Sequence, residues 1–102
     1  MTLIRRKGNN FFGKYNISST SFNTLASWNF ISIGIAIMVE SDYSSDVIQY
    51  SFDGETVHGD MTPGKPSEGI IFDNRFASKI WFRREFQGSP VLVRVESWRN
   101  ES

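Results

Sequence analysis

The sequence predicts an all-β fold, an antiparallel β-sandwich or jelly-roll-like barrel, with residues 1–14 as an extended N-terminal arm and residues 15–102 as a single domain. Three observations carry this expectation. From Phe30 to Glu40, Ile31, Ile33, Ile35, Ile37 and Val39 alternate with Ser32, Gly34, Ala36, Met38 and Glu40. Side chains alternate across a strand, so these β-branched residues form one apolar face, whereas a helix would scatter and crowd them. Turn signals built from glycine, proline, asparagine and aspartate recur roughly every dozen residues between short apolar runs. No segment carries a sustained helical period.

Taken in order, residues 1–14 show no periodicity, and Phe11 and Phe12 are adjacent. This suits an extended arm that buries both rings on a partner, so removing it is expected to leave the domain folded. Tyr15 to Phe22, rich in serine and threonine, reads as a strand with one wet face. Asn23 to Asn29 breaks before the isoleucine run, with Trp28 packed over a core edge. The small residues of that run, Ser32, Gly34 and Ala36, leave room for another sheet or subunit. Val47 to Phe52 leads into Asp53-Gly54, the signature of a two-residue type I′ hairpin. That register sets Ile48 against Gly59 and Tyr50 against Val57, with Ile48, Tyr50 and Phe52 facing the core and His58 on the polar side. Met61 to Ser67, with Pro63, Gly64 and Pro66, is a surface loop. Gly69 to Phe72 is a short strand turned by Asp73-Asn74-Arg75. Lys79 to Phe86 and Val91 to Trp98 read as a second hairpin across Gln87 to Pro90. In it Arg84 opposes Val93, Arg83 opposes Arg94, and Glu85 and Glu96 offset the like charges. Phe82, Val93 and Val95 are then expected to pack on the isoleucine face.

A chain of 102 residues supports one modest core. It has no cysteine, so packing alone must hold the fold. Its longest apolar run falls far short of a bilayer span, and the basic start lacks an apolar signal core, so a soluble, unprocessed protein with no membrane partner is expected. Net charge is zero but uneven. Arg5, Arg6, Lys7 and Lys14 lie in residues 1–20 without an acid, while residues 21–60 carry Glu40, Asp42, Asp46, Asp53, Glu55 and Asp60 without a base. A basic arm beside an acidic body suits one copy docking on the next, and equally a solvated arm. The absence of net positive charge argues against a direct nucleic-acid binder.

Catalytic candidates are thin. Asp53, Glu55, His58 and Asp60 cluster in sequence, yet the hairpin register turns Glu55 away from His58 and Asp60, so a shared cation is not expected. His58 is the sole histidine. A Ser–His–Asp set has no nucleophile elbow and no telling serine. No enzyme activity and no cofactor are therefore expected. Trp81, Phe82, Arg83, Arg84, Phe86, Arg94, Trp98 and Arg99 interleave aromatics with arginines. Trp81, Trp98 or Tyr43 could stack a sugar, which makes a carbohydrate-binding module the alternative function. Cross-strand pairing is the structural explanation, and exposed tryptophan and arginine also suit a protein interface. The expected partner-binding residues are Arg5, Arg6, Lys7, Phe11, Phe12, Trp81, Arg83, Arg94 and Trp98.

The runs Ile48-Gln49-Tyr50-Ser51-Phe52-Asp53-Gly54, Val57-His58-Gly59-Asp60-Met61, Phe72-Asp73-Asn74-Arg75 and Lys79-Ile80-Trp81-Phe82-Arg83-Arg84 resemble small β-sandwich accessory proteins of tailed-bacteriophage virions. A "YSFDG" hairpin and a closing "IWFR … VRVESW" hairpin recur in those proteins. The resemblance covers roughly the C-terminal two-thirds and implies a non-enzymatic virion component, made in the host cytoplasm. It would be a capsid decoration (cement) protein or a neck or tail accessory. Such proteins commonly form homo-oligomers, often trimers, and grip a major capsid or tail protein through terminal arms.

Overall fold

The computed structural model describes residues 8–63 and 67–100. Eight strands follow one another: β1 Gly8–Ile17, β2 Thr24–Ser32, β3 Gly34–Glu40, β4 Ile48–Ser51, β5 Gly59–Met61, β6 Ser67–Phe72, β7 Ala77–Arg84 and β8 Val91–Asn100. They form two four-stranded antiparallel sheets, ordered β1-β8-β3-β6 and β2-β7-β4-β5. Strands pair from the outside of the chain inward, β1 with β8, β2 with β7, β3 with β6 and β4 with β5. One long hairpin is thus rolled into a sandwich, the jelly-roll arrangement. Among the described residues no helix is long and apolar enough to cross a membrane.

Rolling is what this sequence demands. Every strand has one apolar face, and two such sheets can hide it only against each other. The first sheet contributes Ile17, Ile35, Ile37, Val39, Val91, Val93 and Val95, and the second Ala26, Ile48, Tyr50, Met61, Ile80 and Phe82. An aromatic group closes one side. Tyr50 meets Phe52 and Phe72 edge-on with centroids 5.9 and 5.7 Å apart, and the Arg75 guanidinium lies 3.9 Å from the Phe52 ring centre. Trp28 packs over the core edge as expected, 5.3 Å from Phe11, and its indole N–H donates to the Ala77 carbonyl at 3.1 Å.

The isoleucine run is two strands and not one. β2 turns its even residues inward, burying Ala26 and Ser32, and leaves Ile31 51 % exposed. β3 turns its odd residues inward, burying Ile35, Ile37 and Val39. The chain changes sheets at Ile33, whose N–H donates to the Trp98 carbonyl and whose carbonyl accepts from the Arg75 N–H, both at 2.9 Å. Crossing to the facing sheet reverses which parity points inward, so an unbroken alternation in sequence spans a corner.

Lys79 to Phe86 and Val91 to Trp98 do not form a hairpin. β7 sits between β2 and β4, and β8 between β1 and β3. Phe82 and Arg84 of β7 and Val91, Val93 and Val95 of β8 turn inward as expected, but from the two facing sheets, while Phe86, expected opposite Val91 on the same apolar face, lies beyond the end of β7 and is exposed. The Arg83–Arg94 pairing is accordingly absent, because the two side chains point away from opposite outer faces. The Asp53-Gly54 hairpin differs in its loop. β4 and β5 pair Ile48 with Met61, Gln49 with Asp60 and Tyr50 with Gly59, two residues beyond the expected register. A type I′ turn needs positive φ at both central positions, and only Gly54 has it, at 82°. Parity is preserved, so Tyr50 stays inside.

Side chains build that wider loop. Ser51 Oγ accepts from the Asp53 and Gly54 N–H groups and donates to Asp53 Oδ1, which also accepts from the Glu55 and Thr56 N–H groups at 2.8 and 2.7 Å. The Thr56 N–H, then that of Glu55 and then the Ser51 hydroxyl hold the Asp53 carboxyl well below the usual carboxylate range. The charged form is favoured by folding, so this support is complete above the unfolded value of about 3.9 and is lost only as pH falls through the lowered one. The Glu55 and Thr56 amide resonances of the wild type should therefore hold their positions down to about pH 4 and shift only well below it. Asp53→Ala should lower the exchange protection of both amides at neutral pH. Unchanged protection, measured by NMR, would remove this account of the loop.

The described part of the expected arm, Gly8 to Lys14, is strand. β1 pairs with β8 without interruption from Gly8–Asn100 to Ile17–Val91. Adjacent phenylalanines in a strand face opposite ways, which hid the period: Phe11 is half-buried against the core and Phe12 is exposed. Truncation after residue 14 would strip most of a ten-residue strand, so it is not expected to leave the domain intact. Arg5, Arg6 and Lys7 lie outside the described residues.

Candidate interaction surface

The outer face of the β1-β8-β3-β6 sheet carries an open apolar groove. Its register aligns outward side chains in rows across the strands: Phe12, Glu96, Ala36 and Ile71 in one, Lys14, Arg94, Met38 and Gly69 in the next. Phe12 on β1 and Ile71 on β6 rise at the two edges, while alanine and glycine keep the floor between them low. The result is a groove of about 430 Å³. Phe12 is 55 %, Met38 42 % and Ile71 65 % exposed. Contiguous exposed apolar side chains on one face are the feature that marks an interaction surface, in contrast to apolar residues scattered singly.

Of the residues that line the groove itself, the charged ones are Arg94 and Glu96, both on β8. Arg94 reaches Glu40 on β3 at 3.3 Å, while its Nε–H is covered and has no partner among the described residues. Glu96, two residues on, is exposed and has no ion-pair partner among them. At the far end Trp98 covers Gly34 of β3, so closely that a Cβ there would overlap the indole. Gly34→Ala should therefore lift the ring, costing about 1–3 kcal/mol and red-shifting tryptophan emission. An unshifted spectrum with an unchanged melting temperature would contradict that packing. Of the small residues in the isoleucine run, Ser32 is thus in the interior, Gly34 is covered by this chain's own Trp98, and Ala36 lines the open groove.

The expected partner-binding residues divide between two faces. Phe12, Arg94 and Trp98 share the grooved face. Trp81 and Arg83 lie on the outer face of the other sheet, where the Arg83 guanidinium lies 4.5 Å from the Phe22 ring centre and its Nε donates to Gln49 at 2.7 Å. Trp81 packs on Gly54, with the Lys79 ammonium 5.4 Å from its ring. Trp81 and Trp98 therefore cannot flank one sugar. Met38 and Ile71 were not anticipated. The adjacent Ile70 and Ile71 in a short strand signal that one of them must face outward, which is the available clue to the second.

The polar clusters serve the fold. His58 Nδ1 accepts from the Phe52 N–H at 2.9 Å and its ring lies tilted against that of Phe52, centroids 5.7 Å apart, tying down the β4–β5 loop. Among the described residues no group of three or more histidine, cysteine, aspartate or glutamate side chains converges as a metal site. A second hollow, of about 470 Å³, lies beside Asp46, Arg84 and Ser89, whose mutual bonds hold the β7–β8 crossing.

No protein family model matches the chain, and no curated protein matches it in sequence. One solved structure, described as "Bacillus endospore appendages form a novel family of disulfide-linked pili", contains a chain similar to this one. Its TM-score is 0.52 at 9 % identity, covering 100 % of this chain and 98 % of that one. At that identity the likeness establishes a shared sandwich fold.

Proposed function

We propose that this chain is a non-enzymatic structural protein that stabilises a larger particle through protein–protein contact, with the grooved outer face of β1-β8-β3-β6 as the contact surface. The observation that carries this reading is the exposure of Phe12, Met38 and Ile71 together on one rigid sheet face. Contact there would bury apolar area at about 25 cal/mol per Å², and a sheet face needs little ordering to present it.

Within that class, the resemblance to tailed-phage accessory proteins supports a capsid decoration or neck/tail accessory role, with a major capsid or tail protein and further copies of the chain as partners. The appendage neighbour is a sandwich of the same kind whose description concerns a disulfide-linked assembly. This chain has no cysteine, so its own contacts would be non-covalent. The test is incorporation. The full chain should appear on a gel of purified particles, and Ile71→Glu, which folds normally because the side chain is exposed, should be depleted from them. Equal incorporation of the variant, or absence of the wild type from particles, would overturn the reading.

A further inference from the structure

The grooved face is complementary to itself, and we infer that its occupant is a second copy of this chain, stacked face to face about a two-fold axis perpendicular to the strands. This rests on the structural-protein reading above and specifies its contact. The axis lies over the row Gly13, Val95, Ile37 and Ile70, whose residues are aligned by the register of all four strands. Rotation about it lays each strand antiparallel over its own copy and sets the row on one side of the axis onto the row on the other.

Each strand then meets a match. On β3, Ala36 receives the partner's Met38; on β6, Ile71 enters the space over the partner's Gly69. On β8, Glu96, exposed and without an ion-pair partner among the described residues, faces the half-exposed guanidinium of the partner's Arg94. On β1, Phe12 faces the partner's Lys14, a cation over a ring. Further from the axis, Trp98 reaches the partner's Leu92, which lies on the same face one row beyond Arg94. Every contact occurs twice, as an isologous interface requires.

The other face-to-face two-fold, with its axis along the strands, sets Glu96 over Ala36 and Arg94 over Met38. That arrangement buries both charges against apolar atoms, at high cost. Charge thus selects the perpendicular axis. Two antiparallel sheets stacked this way are an ordinary sandwich contact, with layers about 10 Å apart. Strands about 4.8 Å apart, ten residues long in β1 and β8, seven in β3 and six in β6, offer roughly 500 Å² per copy. The total of roughly 1,000 Å² lies in the range of weak, transient interfaces, so association is reversible and concentration-dependent.

The test is sedimentation equilibrium of the full chain over a wide concentration range, followed by two single variants. Glu96→Arg and Arg94→Glu each place like charges opposite one another in the homodimer, and each should weaken association about tenfold or more. Mixed in equal amounts, they should associate again, because the arginines of one then face the glutamates of the other. Gly69→Ile and Ile71→Gly repeat the logic on β6 without charge, and they carry the test if Arg94→Glu, beside Glu40, unfolds. A Cβ at Gly69 would make only ordinary van der Waals contacts, with the Ile37 carbonyl oxygen at 3.4 Å and the Met38 methyl at 3.9 Å. Rescue in either mixture supports the stacked pair. A wild type that stays monomeric throughout overturns it, and the structural-protein reading is then decided by particle incorporation alone. A wild type that associates while neither mixture rescues also overturns it, and the assembly reading survives without this face.

Discussion

Replacing Phe82 with alanine is expected to cost about 3–5 kcal/mol of stability, enough to leave much of the protein unfolded near physiological temperature. Phe82 is the largest fully buried side chain, on the strand that pairs with both β2 and β4. Its ring lies in the core cluster that also holds Tyr50 from its own sheet and Val91, Val93 and Val95 from the other. Truncation loses the transfer energy of the ring and leaves a cavity that two hydrogen-bonded sheets cannot collapse to fill. Urea unfolding at 25 °C should show the full loss in the midpoint with little change in slope. A cost below about 1 kcal/mol would mean that the sheets do not face each other across Phe82.

Removal of the Arg84 guanidinium should cost nearly as much, about 3 kcal/mol for Arg84→Ala. The side chain is 3 % exposed and points inward, in the position an apolar residue would take. It is tolerated because every part of it is answered. Nη2 donates to Asp46 at 2.9 Å, Nε to the Phe86 carbonyl at 2.7 Å and Nη1 to the Ser89 carbonyl. Asp46 is held in turn by the Ser41 hydroxyl at 2.6 Å. Alanine would strand Asp46 and two loop carbonyls at the crossing between sheets. Arg84→Lys should not rescue, since one ammonium cannot span three acceptors arranged for a planar fork. The double variant Arg84→Met/Asp46→Leu should recover a large part of the loss, because no charge is then left unpaired. Thermal or urea unfolding of the set decides this, and equal stability of Arg84→Lys and wild type would count against the network.

Which face of each strand turns inward was legible in the sequence, and which strand it bonds to was not. Alternation reports the two faces of a strand, and hydrogen-bonded edges leave no mark in it. Hence Phe82, Val93 and Val95 were assigned to the core correctly while β7 and β8 were joined as neighbours. The same limit explains Phe30 to Glu40, where a corner at Ile33 reversed the inward parity without breaking the pattern. At Asp53-Gly54 the turn signal was real, but Ser51 and Asp53 bonded to loop amides and opened the tight turn it suggested. Arg84 was visible as an interruption of an apolar face, and its partner Asp46 lay 38 residues away in sequence. For the surface, Phe12, Arg94 and Trp98 were recognisable by type. That Trp81 and Arg83 lie on the opposite side depended on the two sheets being separate.

The proposed contacts use the grooved face and not the Trp81 face. Hydroxyl-radical footprinting of the free chain and of the assembled particle reads both faces at once, because each carries an oxidisable side chain. The account predicts that Met38 and Trp98 become protected on assembly while the reactivity of Trp81 is unchanged. Protection of Trp81 with Met38 still fully reactive would contradict it.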